Sequence, residues 1–272
     1  MIEMKWLYEI SLVIYGFSLI GYFIDFIHNN RKANRFAFWL LSMVLIIQTV
    51  FFFFEVFIEK NFPVATVVDS LLLYSWVLII FSLIINKLFP VRFIIFFINV
   101  FGFFILLMYV AASAANRFPN EAIQFVNEIL VAHITLAIIS YGFFTIAFLF
   151  SIMYLVQYHL LKKKKGLKWM WRLGDLKELD NYSFKAVSIG VPLLLIAIIL
   201  GLVWAYVSSS AFYWFDSKTI GSIVVLMVYI VYLILRIVKG YEGKFLSSYN
   251  TIAFLILLIN FFLFSSLSSF HF

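Results

Sequence analysis

The chain of 272 residues contains no cysteine and carries little charge. Without cysteine it can form no disulfide, bind no metal through a thiolate and carry out no thiol redox chemistry. Charged residues make up only 12% of the sequence, about half of what a soluble domain carries, whereas 65% of the residues are hydrophobic. This composition excludes an ordinary soluble domain.

Continuous apolar runs of roughly 20 residues recur along the whole chain. Each run is long enough to cross the hydrocarbon layer as a helix and about twice as long as a strand of a membrane barrel. Backbone groups in lipid must be paired within the protein, which favours helices here. The sequence therefore predicts an all-α integral membrane protein, a bundle of eight transmembrane helices in one polytopic domain, residues 1–272, with spans near 7–27, 36–58, 64–86, 91–112, 128–158, 186–207, 219–238 and 249–267.

Lysine and arginine are concentrated in alternate loops, with 16 in one set and 4 in the other. Basic loops stay in the cytoplasm, so both termini are predicted to be extracytoplasmic. This distribution also accounts for the net charge of +7 without nucleic acid as a partner. The longest basic connection, residues 162–185, contains Trp169 and Trp171 and allows two interpretations: an amphipathic segment on the anionic membrane lipid, or a solvated loop.

Polar residues within the spans have several possible roles. Gln48, Asn99 and Asn260, near the middle of the membrane, predict hydrogen bonds between helices. Four carboxylates lie near the outer ends of different spans: Glu9, Glu55, Asp69 and Glu128. Such carboxylates could relay protons or bind a cation, and ordinary placement at helix ends explains them as well. No catalytic motif occurs, so the chain is predicted not to be an enzyme.

Two of the four histidines are predicted to lie at the same depth. His133 is about one turn inside the outer end of the fifth span, and His271 follows the eighth span at the same side. Facing neutral imidazoles are suited to ligate a haem iron axially. Nearby aromatic residues could supply flat apolar walls: Trp204, Tyr206, Tyr213, Trp214 and Phe215. An aromatic interfacial belt with an exposed terminal histidine is the alternative. His28 and His159, at the cytoplasmic ends of spans, are predicted to be interfacial.

The segment GLVWAYVSSSAFYWFDSKTIGS resembles the tryptophan-rich segment of the cytochrome c assembly superfamily of haem-handling membrane proteins. The matching positions are Gly201, Trp204, Ala205, Trp214, Asp216 and Lys218, whereas Ser208 to Ser210 and Ser217 depart from the pattern. The two external histidines of that family correspond to His133 in HITLAIISYGFF and His271 in LSSFHF. The segment LGDLKELDNYSFKAVSIG also resembles a family segment.

This resemblance implies a non-covalently bound haem b. His133 and His271 would be the axial ligands of the haem iron, and Lys218 would bind a propionate. The remaining cofactor-binding residues would be Trp204, Tyr213, Trp214 and Asp216.

A narrower resemblance, to the eight-span HemX family, rests on the stretches YFIDF and NRKANRFAFWLLS. It implies a multi-pass protein of the bacterial cell membrane that binds or senses haem and negatively regulates haem synthesis. Its target would be the level of glutamyl-tRNA reductase, reached directly or through a protease system. Two alternatives stay open: a haem carrier in cytochrome c assembly, and a haem-free scaffold that acts through its cytoplasmic loops.

Overall fold

Eight helices account for the secondary structure that the computed structural model describes, which covers residues 5–57, 67–88, 92–114, 128–164, 174–207 and 217–264. They are α1 Lys5–His28, α2 Arg31–Phe57, α3 Val67–Leu88, α4 Arg92–Ala114, α5 Glu128–Lys162, α6 Leu176–Val207, α7 Ser217–Ile237 and α8 Lys244–Ile259. A π-helical turn, Asn260–Phe264, extends α8. All eight are long and apolar enough to cross a membrane, which confirms the predicted eight-span all-α fold. The direction of the termini stays a prediction.

The largest difference from the predicted spans is the start of α6. This helix begins at Leu176, ten residues before the predicted position 186. Leu179, Asp180 and Ser183 are buried in its first turns, so these turns pack against other helices. Residues 176–185 therefore belong to a transmembrane helix and not to a basic loop or a surface segment.

The chain divides into two compact units, unit 1 with residues 1–126 and unit 2 with residues 127–272. Unit 1 contains α1 to α4 and unit 2 contains α5 to α8. In each unit, consecutive helices contact one another and the first helix also contacts the last. Each unit is thus a ring of four helices with its own interior. The prediction of one polytopic domain concerns the arrangement of the two units and stays a prediction.

Hydrogen bonds between neighbouring helices hold unit 1 together. The Ser18 hydroxyl donates to the carbonyl of Ala37 at 2.8 Å and joins α1 to α2. At the same crossing a Cβ added to Gly21 would lie 2.9 Å from the Ala37 Cβ, so only glycine permits this approach. The indole of Trp76 donates to Thr49 at 2.9 Å and joins α3 to α2. Small and polar side chains thus replace the hydrophobic effect, which is weak between helices in lipid.

Unit 2 is organised around α5, its longest helix. The Ser140 hydroxyl of α5 donates to the Gly190 carbonyl of α6 at 2.8 Å. The Phe144 ring lies where a side chain at position 190 would be, and it stacks on Tyr229 of α7 with centroids 3.7 Å apart. On the other side, Phe148 stacks on Phe254 of α8 at 4.2 Å. Contacts of α5 with all three other helices fix their depth in the bundle.

A buried ion pair closes one end of unit 2. The guanidinium of Arg236 in α7 lies 2.6 Å from the carboxylate of Asp180 in α6, and both side chains are less than 10% exposed. The other carboxylate oxygen of Asp180 accepts the backbone N–H of Gly243 at 3.1 Å. Glu242, which is 69% exposed, lies 3.5 Å from the same guanidinium. Asp180 therefore connects α6, α7 and the turn before α8.

We expect Asp180→Ala to destabilise the protein by about 3–5 kcal/mol, because it leaves the buried Arg236 without its carboxylate partner. Glu242→Ala is the matched control, since it removes an exposed partner of the same arginine and should cost less than about 1 kcal/mol. Thermal unfolding of the purified protein in detergent would measure both. Equal losses in the two variants would contradict this account.

Candidate functional site

His133 lies in the second turn of α5 and is held by a backbone carbonyl of α6. Its Nδ1 is 2.6 Å from the carbonyl oxygen of Ala197. A carbonyl oxygen can only accept a hydrogen bond, so Nδ1 carries the proton of the neutral ring. The lone pair is then on Nε2, which is the form in which histidine binds a metal.

Gly201 provides the space for this imidazole. A Cβ added at position 201 would lie 2.8 Å from Cε1 and 2.9 Å from Nδ1 of His133, closer than real Cβ contacts. The ring therefore rests directly against the backbone of α6. Small residues at every fourth position of α6, Ala197, Gly201 and Ala205, form the surface that receives it.

Two further predicted residues come to the same end of unit 2. Trp204 is partly buried and follows Gly201 by one turn of α6. Lys218 is partly buried in the first turn of α7, on the same side of unit 2 as His133. The structure thus places His133, Trp204 and Lys218 at the same end of three helices. Tyr206, by contrast, is 88% exposed at the end of α6 and offers little packing surface.

A polar contact joins α5, α7 and the end of α8 about two turns of α5 further into unit 2 than His133. The amide nitrogen of Asn260 lies 3.5 Å from the Tyr141 hydroxyl and 3.4 Å from the Ser222 hydroxyl. The ring of Phe261 packs edge-on against Tyr141, with centroids 5.9 Å apart. Tyr141 is eight residues further along α5 than His133, a distance of about 12 Å. This contact confirms the predicted interhelical role of Asn260.

The remaining predicted site residues cannot be placed. Tyr213, Trp214, Asp216 and His271 lie outside the described residues, as does the wall residue Phe215. Within the described ranges no group of three or more His, Asp or Glu side chains could hold a metal ion. The described part of the site thus offers a single nitrogen ligand. Such a ligand suits a metal that a macrocycle already holds, as in haem.

His28 and His159 are both exposed at the ends of α1 and α5, as predicted. Sequence reasoning missed the carbonyl of Ala197 and the partners of Asn260, which are Tyr141 and Ser222. The only sequence signal for the first was the small-residue spacing of α6, which marks a close approach of two helices without identifying the side chain that fills it.

This chain is similar to known membrane proteins over most of its length. The family described as Cytochrome C assembly protein matches residues 64–271, which include the whole of unit 2 up to the penultimate residue. Protein HemX of Bacillus subtilis (strain 168) is 47% identical over 263 residues, covering 97% of this chain and 95% of the relative. Protein HemX of Brevibacillus brevis is 37% identical, with 100% and 99% covered.

A more distant match is to the cytochrome c biogenesis protein CcsA of Chlamydomonas reinhardtii, 32% identical over 127 residues, or 47% of this chain and 35% of the relative. The match to the family covers most of the chain, and the HemX relatives align with nearly all of it. This chain therefore belongs to the cytochrome c assembly family, as a HemX-like multi-pass membrane protein.

Proposed function

We propose that this protein binds haem b non-covalently through Nε2 of His133 and acts as a non-enzymatic negative regulator of haem synthesis. One observation carries the proposal, namely the hydrogen bond from Nδ1 of His133 to the Ala197 carbonyl. It orients the ring and directs the proton away from Nε2, as the partners of metal-bound histidines do. The regulated quantity would be the level of glutamyl-tRNA reductase, in a bacterial plasma membrane.

The surroundings of His133 fit a haem. Lys218 would pair with a propionate, and Trp204 would pack against the ring, because an indole offers a flat apolar face. When bound, the haem would supply an iron centre. Ligation of that iron by the protein would indicate that the haem site is occupied. Tyr213, Trp214 and Asp216 belong to the proposed site through the family segment alone.

His271 is the proposed second axial ligand. The pairs Phe148–Phe254 and Tyr141–Phe261 show that α8 runs antiparallel to α5, toward the end that carries His133. His271 follows Phe261 by ten residues. The direction of α8 thus supports the assignment of His271 to this end of unit 2.

A haem carrier in cytochrome c assembly is the second candidate function. The CcsA match favours it, because that relative is named for cytochrome c biogenesis. The nearly complete alignment with two HemX proteins favours the regulator. A haem-free scaffold that acts through its cytoplasmic loops is distinguished from both by its failure to bind haem.

We expect His133→Ala to weaken haem binding by at least about 100-fold, because it removes the nitrogen ligand of the described site. Titration of the purified protein with haem, followed by the Soret absorbance, measures the change. His159→Ala is the matched control, since it removes an exposed histidine from the same helix and should bind as the parent does. A parent protein that shows no Soret band with added haem would support the scaffold.

We expect Gly201→Ala to weaken haem binding by about 10–100-fold while His133 is still present, because the new methyl group displaces the imidazole. The Soret maximum should also shift, which a general loss of stability would not produce. Gly16→Ala is the control, because a Cβ there meets only Phe103 at an ordinary 3.7 Å. An unchanged spectrum in Gly201→Ala would show that the ring does not need this contact.

Deletion of the gene should raise the level of glutamyl-tRNA reductase and leave c-type cytochromes unchanged, because a regulator does not deliver haem to them. Immunoblots of the reductase and haem-stained gels of membrane fractions would measure the two quantities. Complementation with His133→Ala should fail to lower the reductase if haem occupancy is the signal. Loss of c-type cytochromes with a constant reductase level would favour the carrier.

A further inference from the structure

Unit 1 has a polar interior that the proposed haem site does not use. Six polar side chains of α1 recur at alternating intervals of three and four residues, and none is more than 7% exposed. They are Tyr8, Ser11, Tyr15, Ser18, Tyr22 and Asp25. The stripe extends over about 25 Å, close to the roughly 30 Å of a bilayer core. Ser18 and Tyr15 bond to neighbouring helices, so the members of the stripe that lack such a bond need a separate explanation.

In the middle of unit 1 the polar groups are fully paired. The Tyr15 hydroxyl donates to Oδ1 of Asn99 at 3.2 Å. Nδ2 of Asn99 donates to the Ser82 hydroxyl at 2.6 Å and to the carbonyl of Ile95 at 2.7 Å. Every hydrogen-bonding atom of the Asn99 amide thus has a protein partner. An amide paired in this way closes the interior at its level.

One turn from Tyr15 toward Tyr8, the pairing stops. Ser11 Oγ and both amide atoms of Gln48 are completely buried and have no hydrogen-bond partner among the described residues. The two side chains lie at the same level. The Tyr8 ring packs on Phe51 with centroids 4.3 Å apart. Helices α1 and α2 are antiparallel, so Ser11, three residues after Tyr8, is level with Gln48, three residues before Phe51.

Leaving these atoms unpaired would cost about 1–3 kcal/mol for each group. Neither lipid nor the described residues supply partners, which points to another species. The Gln48 amide presents N–H donors beside a carbonyl acceptor, and Ser11 can do both. A bare cation would satisfy only the oxygens, whereas water satisfies donors and acceptors together. The chemistry of the site therefore selects water, or a small cation that brings water with it.

Two carboxylates lie near Tyr8, on the side of Gln48 away from Asn99. Beyond Tyr8 the Tyr109 ring packs edge-on with centroids 4.9 Å apart, so two phenols surround this level. The carboxylates of Glu55 and Asp69 lie near both phenols. Both acidic side chains are partly exposed. Negative charge at an entrance favours cations over anions.

We propose that water and small monovalent cations enter unit 1 along a half-path. It begins at Glu55 and Asp69, passes Tyr8, reaches Ser11 and Gln48, and ends at the hydrogen-bonded Asn99. Gln48 lies nine residues, about 14 Å, inside the end of α2, so the path reaches well into the membrane. Because Asn99 closes the half-path, water and cations can enter the interior of unit 1 but cannot cross the membrane through it.

The absence of cysteine makes a direct test possible, because each introduced thiol is the only one in the full-length chain. Ser11→Cys and Gln48→Cys would be reconstituted in liposomes and treated with silver nitrate, whose cation is small enough to follow water. The protein would then be denatured and labelled with a fluorescent maleimide. Silver should reduce the labelling of both variants at least about ten-fold, because bound silver blocks the thiol.

Two control positions define the limits of the half-path. Val13→Cys lies on the exposed face of the same helix, and Ser18→Cys lies one turn of α1 beyond Tyr15, which bonds to the closing Asn99. Silver should leave labelling of both unchanged. Glu9→Cys, exposed near the proposed entrance, provides the fully reactive reference.

Ser11→Cys changes only one atom, and so it tests the proposal even if Gln48→Cys folds poorly. If silver leaves the Ser11→Cys thiol as reactive toward maleimide as the Val13→Cys thiol, unit 1 is dry and the proposal is wrong. Protection of Ser18→Cys as well would overturn the closure at Asn99.

Discussion

The hydrogen bond from His133 to the carbonyl of Ala197 is the contact on which the candidate site depends. An imidazole inside a membrane span has two nitrogens to satisfy and no solvent to satisfy them. The bond to α6 satisfies one and assigns the proton, which leaves the other nitrogen for a ligand. It also requires the backbones of α5 and α6 to approach closely, and Gly201 permits that approach. One contact thus determines the ring's tautomer, its orientation and the packing of the two helices.

The same requirement for hydrogen-bond partners within the protein explains the other buried polar residues. Polar residues that lack such partners are the candidates for binding another molecule. Asp180 is paired through both carboxylate oxygens, and Asn99 through every amide atom. These groups stabilise helix contacts and leave no capacity for a ligand. Gln48 has a similar side chain at a similar depth, yet it is unpaired among the described residues. The difference separates structural polar residues from those that need another molecule.

The sequence was sufficient to predict the eight spans, since each one depends on a local run of apolar residues. It also predicted His133 and Lys218 as site residues, which stays a prediction, and the structure places both at one end of unit 2. It could not predict the start of α6, because the polar residue Asp180 is buried only through its pairing with Arg236, 56 positions away. Nor could it separate Gln48 from Asn99, because both are amides in apolar runs. Only the contacts between helices distinguish them.

The geometry of unit 2 also indicates how an occupied haem site could affect the basic connection between α5 and α6. Pro192 removes one backbone hydrogen bond from α6, which makes a bend there easier. Helix α5 contains no proline, and about 36 Å beyond His133 its Gln157 side chain donates to the carbonyl of Gly174. Gly174 lies two residues before the start of α6, at the end of the basic connection. In the proposed regulator, a shift of His133 on haem binding would therefore reach this connection through α5, whereas a bend at Pro192 would absorb the motion of α6.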